Sequence, residues 1–247
     1  MTRDEFHARF ATPGPVVLPV IHVLDTAGTR ANLATALAGG AAGVFLINHD
    51  FGVERFLPII RAVRAAHPDA WIGVNFLAVT GLDAFPVLSR LAGEGTAIDA
   101  YWADDARIDE ASDAQREADS IAEVRARLDW GGLYFGGTAF KKQRPVAPTA
   151  WGRAAGLAAG FMDVVTTSGT ATGEAAEGDK IAAFRAGIGD RPLALASGIT
   201  PDNAHRYRDV DAFMVATGIN RPGDFYTIDP ARLAALIAVA ADLGRAA

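Results

Sequence analysis

The hydrophobic residues of this chain fall into eight short runs, and each run is followed by a segment whose apolar positions recur at helical spacing. Short apolar runs bounded by turn residues are typical of buried parallel strands. The predicted strands are Val16 to Val23, Gly43 to Asn48, Trp71 to Leu77, Ile98 to Trp102, Gly132 to Phe135, Met162 to Thr167, Leu193 to Ala196 and Phe213 to Ala216. The predicted helices are Arg30 to Ala38, Val53 to Ala66, Ala84 to Ala92, Asp113 to Leu128, Thr149 to Ala159, Gly178 to Ala186, Asp202 to Arg208 and Pro230 to Leu243.

This alternation indicates an α/β protein with a parallel sheet, and eight such units in 247 residues are typical of a (β/α)8 TIM barrel. No linker or change of composition divides the chain, so we expect one domain over residues 1–247. An open doubly wound sheet usually has a glycine-rich turn after its first strand. Here the first strand ends at His22 and Val23, and the glycine-rich turns come late, which favours the closed barrel.

The turns after strands six to eight are rich in glycine and hydroxylated residues, and each begins with a hydroxylated residue followed by glycine. They read Ser168-Gly169-Thr170-Ala171-Thr172-Gly173, Ser197-Gly198-Ile199-Thr200-Pro201 and Thr217-Gly218-Ile219-Asn220. Glycine lets backbone approach a ligand closely, and adjacent N–H groups before a helix favour an anion. Thr200 as N-cap and Pro201 as first helical residue would begin such a helix. The alternative is that these are ordinary tight turns, which also favour glycine and serine. The predicted phosphate-binding residues are Ser168, Gly169, Ser197, Gly198, Thr217 and Gly218.

Composition and charge narrow the class of protein. The formal net charge is −6 and the basic residues are scattered, so no nucleic-acid partner is expected. The absence of cysteine removes disulfides, thiol nucleophiles and thiolate metal sites. No apolar stretch reaches membrane-spanning length, and the charged segment from Met1 to Arg9 lacks a secretory signal. We therefore expect a cytoplasmic protein without membrane insertion.

Polar residues that follow the strands are the catalytic candidates, because active sites of such barrels lie at the carboxyl ends of the strands. His22 could act as a general acid or base, or be a structural histidine. Asp104 could be a base, and with Asp105 it could instead belong to a solvated acidic loop. Lys141 and Lys142 could neutralise substrate charge or supply a base or Schiff-base amine, and we expect only one of them to face the site.

Three further residues are predicted to bind substrate. Asn48 and Asn75 offer both a donor and an acceptor, and Thr166 precedes the glycine-rich turn after strand six. His49 and Asp50 are expected instead to face the helix layer or to cap the helix that begins near Val53. No zinc or calcium motif and no nucleophile elbow is present, so we predict no cofactor, and a divalent cation such as Mg²⁺ has no supporting motif.

Several of these stretches together resemble the BtpA family. They are Ile21-His22, Gly73-Val74-Asn75-Phe76-Leu77, the lysine after strand five, Ser168-Gly169-Thr170-Ala171-Thr172-Gly173 and Ser197-Gly198-Ile199-Thr200-Pro201-Asp202-Asn203. The resemblance implies a (β/α)8 barrel related to phosphate-binding barrels. The first-named member of that family was linked to photosystem I biogenesis, a cellular role to which no feature of this sequence points.

The chain departs from the family pattern at three loops. Leu24-Asp25-Thr26-Ala27-Gly28 stands where the family has a Leu-Pro-Gly-like loop, and Ile47-Asn48-His49-Asp50 where it has Glu-Asn followed by Gly-Asp. After strand five, Lys141-Lys142 or Lys142-Gln143 replaces a Lys-His pair. The reaction could therefore differ even where the phosphate half is kept.

The sequence leads to two main hypotheses. The first is an enzyme that acts on a small phosphorylated metabolite, a sugar phosphate or a nucleotide-like compound, by the acid–base chemistry of an isomerase or lyase. The second is a non-catalytic ligand-binding or assembly factor that retains the phosphate pocket. A glycosidase-like hydrolase is a weaker third option, because adjacent aspartates such as Asp104 and Asp105 rarely converge on one bond. Alanine-rich helices leave a homo-oligomer open.

Overall fold

Eight parallel strands pair in chain order and close into a barrel, with the last strand hydrogen-bonded to the first. They are β1 (Val16–Val23), β2 (Val44–Asn48), β3 (Ile72–Asn75), β4 (Ala100–Ala103), β5 (Leu133–Gly137), β6 (Val164–Thr167), β7 (Leu193–Ala196) and β8 (Ala212–Val215). This computed structural model describes residues 1–171 and 173–245, so Thr172 of the predicted turn after β6 lies outside the described residues. The predicted (β/α)8 TIM barrel is confirmed.

Helices surround the barrel. They are α1 (Arg3–Arg9), α2 (Thr26–Ala38), α3 (Val53–Ala66), α4 (Gly81–Gly93), α5 (Arg116–Leu128), α6 (Trp151–Ala158), α7 (Gly178–Ile188) and α8 (Pro230–Arg245). The helix after β1 begins four residues earlier than predicted, because the Asp25 carboxylate accepts a 2.8 Å hydrogen bond from the Gly28 amide and caps it. None of the helices within the described ranges is long and apolar enough to cross a membrane.

The predicted helix from Asp202 to Arg208 is wrong. A short 3-10 turn at Ala204–Arg206 occupies its place. The Asn203 side chain explains the difference, because its Oδ1 accepts a 2.8 Å hydrogen bond from the Thr200 amide and its Nδ2 donates to the Gly198 carbonyl at 2.7 Å. A side chain that binds nearby backbone competes with helix formation. The loop after β7 therefore does not lead into an α-helix, and the predicted helix N-terminus at Thr200 is absent.

The apolar side chains pack in two layers. Alternate strand residues fill the inside of the barrel, where Phe45, Trp102, Phe135 and Met214 belong to one buried cluster. The other strand residues face outward and pack against the helices in a second cluster. Every residue of the eight strands is buried, since helices cover one face and the barrel interior the other. This double burial explains why the strands read as short continuous apolar runs.

The helix α1, which the hydrophobic pattern did not predict, covers the amino-terminal end of the barrel. Phe6 is fully buried, and its ring lies 6.3 Å from that of Phe135. Arg3 and His7 both contact the carboxylate of Asp211, at 2.8 and 2.9 Å, just before β8 begins. The helix thus closes the end of the barrel that lies away from the carboxyl ends of the strands.

Candidate active site

A cavity of about 290 Å³ lies at the carboxyl ends of the strands. This is the end of a TIM barrel at which active sites are found. Its lining includes the four predicted catalytic residues and four of the predicted phosphate-binding residues. They are His22, Asp104, Lys141, Lys142, Ser197, Gly198, Thr217 and Gly218. The barrel thus brings together side chains from the ends of β1 and β4 with the loops after β5, β7 and β8.

Other predicted site residues lie outside this lining. They are Asn48, Asn75, Thr166, Ser168 and Gly169. The Asn48 side chain donates to the Phe51 carbonyl at 2.5 Å and accepts from the Leu77 amide at 3.1 Å, so it ties the loops after β2 and β3 together. Thr166 is fully buried, and its hydroxyl lies 3.5 Å from the Val164 carbonyl oxygen. Both side chains thus bind nearby backbone and do not line the cavity.

Ser168 and Gly169 shape the loop after β6. The Ser168 hydroxyl accepts a 2.8 Å hydrogen bond from the backbone amide of Lys141 and donates to the Gly169 carbonyl at 2.8 Å. A Cβ on Gly169 would meet the Glu174 carbonyl oxygen, so glycine permits a close backbone contact there. Ser168 therefore holds the lysine-bearing loop after β5 in place.

His22 is held as a neutral ring. Its Nδ1 lies 2.9 Å from the Phe225 carbonyl oxygen, which can only accept, so Nδ1 carries the proton. The ring also stacks on that of Phe225, with centroids 3.7 Å apart. Burial, with a smaller contribution from neighbouring His49, lowers the pKa of His22 to about 4. At neutral pH its Nε2 is therefore an uncharged hydrogen-bond acceptor.

Asp104 is positioned by Asn75, whose Nδ2 donates to its Oδ1 at 3.0 Å. Burial raises the pKa of Asp104, and the hydrogen bond from Asn75 and the charge of Lys141 oppose that shift. The Oδ1 atom of Asn75 is buried and has no hydrogen-bond partner among the described residues. Asn75 thus orients the carboxylate without itself lining the cavity.

Both lysines after β5 line the cavity, although the sequence led us to expect only one. Lys142 has a backbone φ of +60°, and this left-handed conformation breaks the alternation of directions expected for adjacent residues. Lys141 is half-buried and Lys142 is exposed. Burial lowers the pKa of Lys141, and the carboxylate of Asp104 opposes this shift. The cavity thus contains a carboxyl with a raised pKa and an amine with a lowered one.

The loops after β7 and β8 contribute backbone donors. Within residues 1–171 and 173–245, no acceptor pairs with the amides of Gly198, Ile199, Thr217 and Gly218, although these four residues line the cavity. Ser197 has a φ of +94°, and its hydroxyl donates to the Ala171 carbonyl at 3.0 Å and accepts from the Gly173 amide at 3.1 Å. Unpaired amides on adjacent loops can bind an anion.

Some residues near the site were not predicted. His49, which we expected to face the helix layer, lines the cavity, and its ring lies 4.7 Å from that of His22. Asp50 instead accepts a 2.8 Å hydrogen bond from the Tyr226 hydroxyl. Phe225 gave no signal in the sequence, because it belongs to a loop without periodicity.

Lys180, a buried lysine on α7, was also not predicted as a site residue. Its ammonium donates to the carbonyls of Ala139 and Ser168, at 2.6 and 2.8 Å, and so joins the loops after β5 and β6. Burial lowers its pKa to about 8. A single lysine in a helical pattern carries no sequence signal for such a role.

In the part of the chain that the structure describes, no three or more His, Asp or Glu side chains come together in a group that could hold a metal ion.

Comparisons with known proteins support the fold. No protein-family model matches the chain, and no curated protein matches it by sequence, so the resemblance to the BtpA family stays a prediction. Phosphoribosyl anthranilate isomerase from Thermus thermophilus has a similar structure, with a TM-score of 0.61 and 17% identity over 92% of this chain and 98% of that one. Tryptophan synthase subunit alpha from Legionella pneumophila gives 0.65 and 15%, over 98% and 99% of the two chains.

A third similar structure is (S)-3-O-geranylgeranylglyceryl phosphate synthase from Thermoplasma acidophilum, in complex with its substrate sn-glycerol-1-phosphate. Its TM-score is 0.64 and its identity 13%, over 98% of this chain and 99% of that one. At such identities these likenesses establish a shared barrel architecture.

Proposed function

We propose that this protein is an enzyme that binds a small phosphorylated substrate and transfers a proton within it, as an isomerase or lyase does. The observation that carries the proposal is the composition of one cavity. It combines four unpaired backbone amides, from the loops after β7 and β8, with an aspartate and a lysine whose pKa values are shifted. Shifted pKa values within a cavity are typical of acid–base catalysts.

The phosphate is bound by the amides of Gly198, Ile199, Thr217 and Gly218. Backbone N–H groups suit a phosphate because they donate hydrogen bonds at fixed positions without a flexible side chain. The ammonium groups of Lys141 and Lys142, which line the same cavity, add positive charge. The overall charge of the protein is −6, so most of its surface repels an anion. The two lysines therefore direct an anionic substrate to the cavity.

Proton transfer is assigned to Asp104 and Lys141. A carboxylate with a raised pKa is a stronger base, and an ammonium with a lowered pKa is a stronger acid, than the same groups in water. Asp104 takes a proton from the substrate, and Lys141 donates one to the oxygen on which negative charge develops. His22 accepts a hydrogen bond from a substrate hydroxyl through Nε2, because its low pKa makes it a poor base at neutral pH.

The similar structures support this proposal at the level of the reaction class. One of these proteins is an isomerase, and another is a synthase whose substrate is a glycerol phosphate. Both have the same barrel architecture as this chain. The resemblance to the BtpA family supports a phosphate-binding barrel and leaves the reaction open. It also keeps a non-catalytic ligand-binding factor as the alternative.

Binding is tested by thermal unfolding of the purified protein with inorganic phosphate, sugar phosphates, nucleoside monophosphates and the unphosphorylated counterparts. A ligand present at a hundred times its dissociation constant stabilises the native state by about 2.7 kcal/mol, which is a measurable shift. Thr217→Glu places a carboxylate beside the bound phosphate and is expected to abolish the shift. Ser120→Glu, which adds the same charge on an exposed position of α5, is the matched control and keeps it.

Catalysis is tested by NMR in D₂O with each ligand that binds. Removal of a carbon-bound proton exchanges it for deuterium, and Asp104→Asn is expected to slow this exchange by at least about 100-fold while the thermal shift persists. Binding without any exchange or turnover would favour the non-catalytic alternative. If no phosphorylated compound stabilises the folded protein, the phosphate site itself is refuted.

A further inference from the structure

The floor of the cavity differs chemically from its rim. Five barrel residues form the floor, each at most 5% exposed, and all belong to the apolar cluster inside the barrel. They are Val20, Ile47, Trp102, Ala196 and Met214. Their one side-chain nitrogen or oxygen is the indole nitrogen of Trp102, which is buried and without a partner among the described residues.

The charged groups lie elsewhere in the cavity. Asp104, Lys141 and Lys142 come from the loops after β4 and β5, beyond the last strand residues. On the wall, Phe225 adds an aromatic ring next to His22. A ligand in the cavity therefore contacts hydrogen-bond donors and charged groups on the loops, and mainly apolar side chains on the floor.

Ala196 makes room in this floor. It is paired in register with Met214 on the neighbouring strand, and both residues line the cavity. A methyl side chain beside a methionine leaves free volume at the end of β7. The total volume, about 290 Å³, lies just below the range of roughly 300 to 1,000 Å³ that is usual for small-molecule sites.

This floor discriminates between two kinds of phosphate ester. The floor offers a single side-chain donor, the indole N–H of Trp102, so most hydroxyl groups of a sugar phosphate would lose their water there without gaining a hydrogen bond, which opposes binding. An apolar group loses no hydrogen bond and gains burial. Aromatic rings in particular pack favourably against aromatic neighbours such as Trp102 and Phe225.

We infer that the substrate is a phosphate monoester whose other end is an apolar group of the size of an aromatic ring. The inference rests on the proposed function and narrows its substrate class. The phosphate lies at the amides after β7 and β8, the apolar group lies on the floor, and the reacting atoms lie near Asp104 and Lys141.

Titration calorimetry with phenyl phosphate, glycerol phosphate and inorganic phosphate tests the inference on the full chain. Burial of a phenyl group in this floor is expected to make phenyl phosphate bind at least about tenfold more tightly than glycerol phosphate. Ala196→Leu fills the floor and is expected to weaken phenyl phosphate at least about tenfold. The affinity for inorganic phosphate should change by less than about threefold, because the amides are untouched.

Val20→Thr is a second variant, for use also if Ala196→Leu does not fold. It keeps the shape of the side chain and adds a hydroxyl to the floor, so it should weaken phenyl phosphate and spare inorganic phosphate. The matched control is Val87→Thr on α4, outside the cavity lining, which should change neither affinity.

Each outcome has a distinct meaning. A preference for phenyl phosphate that Ala196→Leu or Val20→Thr removes supports the inference. Equal or tighter binding of glycerol phosphate overturns it and leaves the proposed function standing. Failure of all three phosphates to bind the folded protein overturns the proposed function as well.

Discussion

The Asn75 side-chain amide donates a 3.0 Å hydrogen bond to the carboxylate of Asp104, a residue 29 positions later in the chain. The two residues end or follow neighbouring strands, β3 and β4, whose pairing brings them together. This bond favours the ionised form of Asp104, whereas burial favours the neutral form. The geometry of the two strands therefore sets the basicity of the residue to which we assign proton removal.

Asn75→Ala is expected to raise the pKa of Asp104 further, because the bond that stabilises the carboxylate is lost and the burial remains. The carboxyl carbon of Asp104, observed by ¹³C NMR during a pH titration, reports this pKa directly. Asp104→Asn identifies the resonance by removing it. An unchanged or lower pKa in Asn75→Ala would show that the hydrogen bond does not control the carboxylate.

Lys180 makes the free energy of unfolding depend on pH in the alkaline range. Its folded pKa, about 8, lies below the value of about 10.5 in an unfolded chain, so the unfolded state binds more protons between these two pH values. Stability should therefore rise with pH from about 8 to about 10.5 because of this group.

Lys180→Met is expected to remove this rise, and to destabilise the protein because the carbonyls of Ala139 and Ser168 lose their donor. Urea unfolding of both proteins at several pH values gives the comparison. The difference between the two curves isolates Lys180, since Lys141 titrates in both. If the curves run parallel from pH 8 to 10.5, Lys180 does not titrate as the structure indicates.

Asp211 anchors the amino-terminal helix and determines stability in acid. Burial would raise its pKa, but the hydrogen bond from His7, the charge of Arg185, the Leu193 amide and Arg3 outweigh burial and hold the pKa at about 2. The folded pKa is below the ordinary aspartate value, so the stabilisation is complete above about pH 4 and is lost as pH falls toward 2. This contribution is on the order of 2 kcal/mol.

Asp211→Asn should destabilise the protein by about 3 kcal/mol at pH 7, because it leaves Arg185 without its buried partner, and should flatten the acid limb between pH 4 and 2. Chemical unfolding measured across this pH range checks both effects. Asp69→Asn, at an exposed position outside this ion-pair cluster, is the control and should keep the wild-type curve. An acid limb as steep in Asp211→Asn as in the wild type would contradict the assignment.

The backbone conformation at position 198 requires glycine. Its φ is +70°, and a Cβ would meet the Glu174 carbonyl oxygen. Gly198→Ala should cost at least about 2 kcal/mol of stability, from the left-handed conformation and the steric overlap. Gly93→Ala, where no described atom beyond its chain neighbours and its own helix backbone lies within 4 Å of the new methyl group, should be neutral or slightly stabilising in its helix.

Thermal unfolding without ligand measures both glycine variants. If Gly198→Ala is destabilised, a weaker affinity of this variant for phosphate would reflect a disturbed loop and not the loss of a direct contact. Wild-type stability in Gly198→Ala would show that the loop relaxes around the methyl group.

The sequence determined the number and order of the strands and most helices, because buried strands and amphipathic helices are set by residues that are neighbours in the chain. The bounds of β1, β7 and α3 agree with those predicted from the pattern alone. The prediction of a helix from the local pattern was wrong where one side chain hydrogen-bonds to nearby backbone. Asn203 bonds to the Thr200 amide and the Gly198 carbonyl, and the predicted helix there is reduced to a 3-10 turn.

Only the tertiary structure decided which residues form the cavity. His22 and Asp104 were predicted from their positions at strand ends, and both line the cavity. Asn48 was predicted on the same ground, but its side-chain amide hydrogen-bonds to the loops after β2 and β3 and does not line the cavity. Phe225 reaches His22 from 203 positions away, and no periodicity encodes that contact. Closure of the barrel brings loops that are distant in the chain to the same end of the molecule. Side-chain packing at that end then determines which polar groups line the cavity and which hydrogen-bond to the loops.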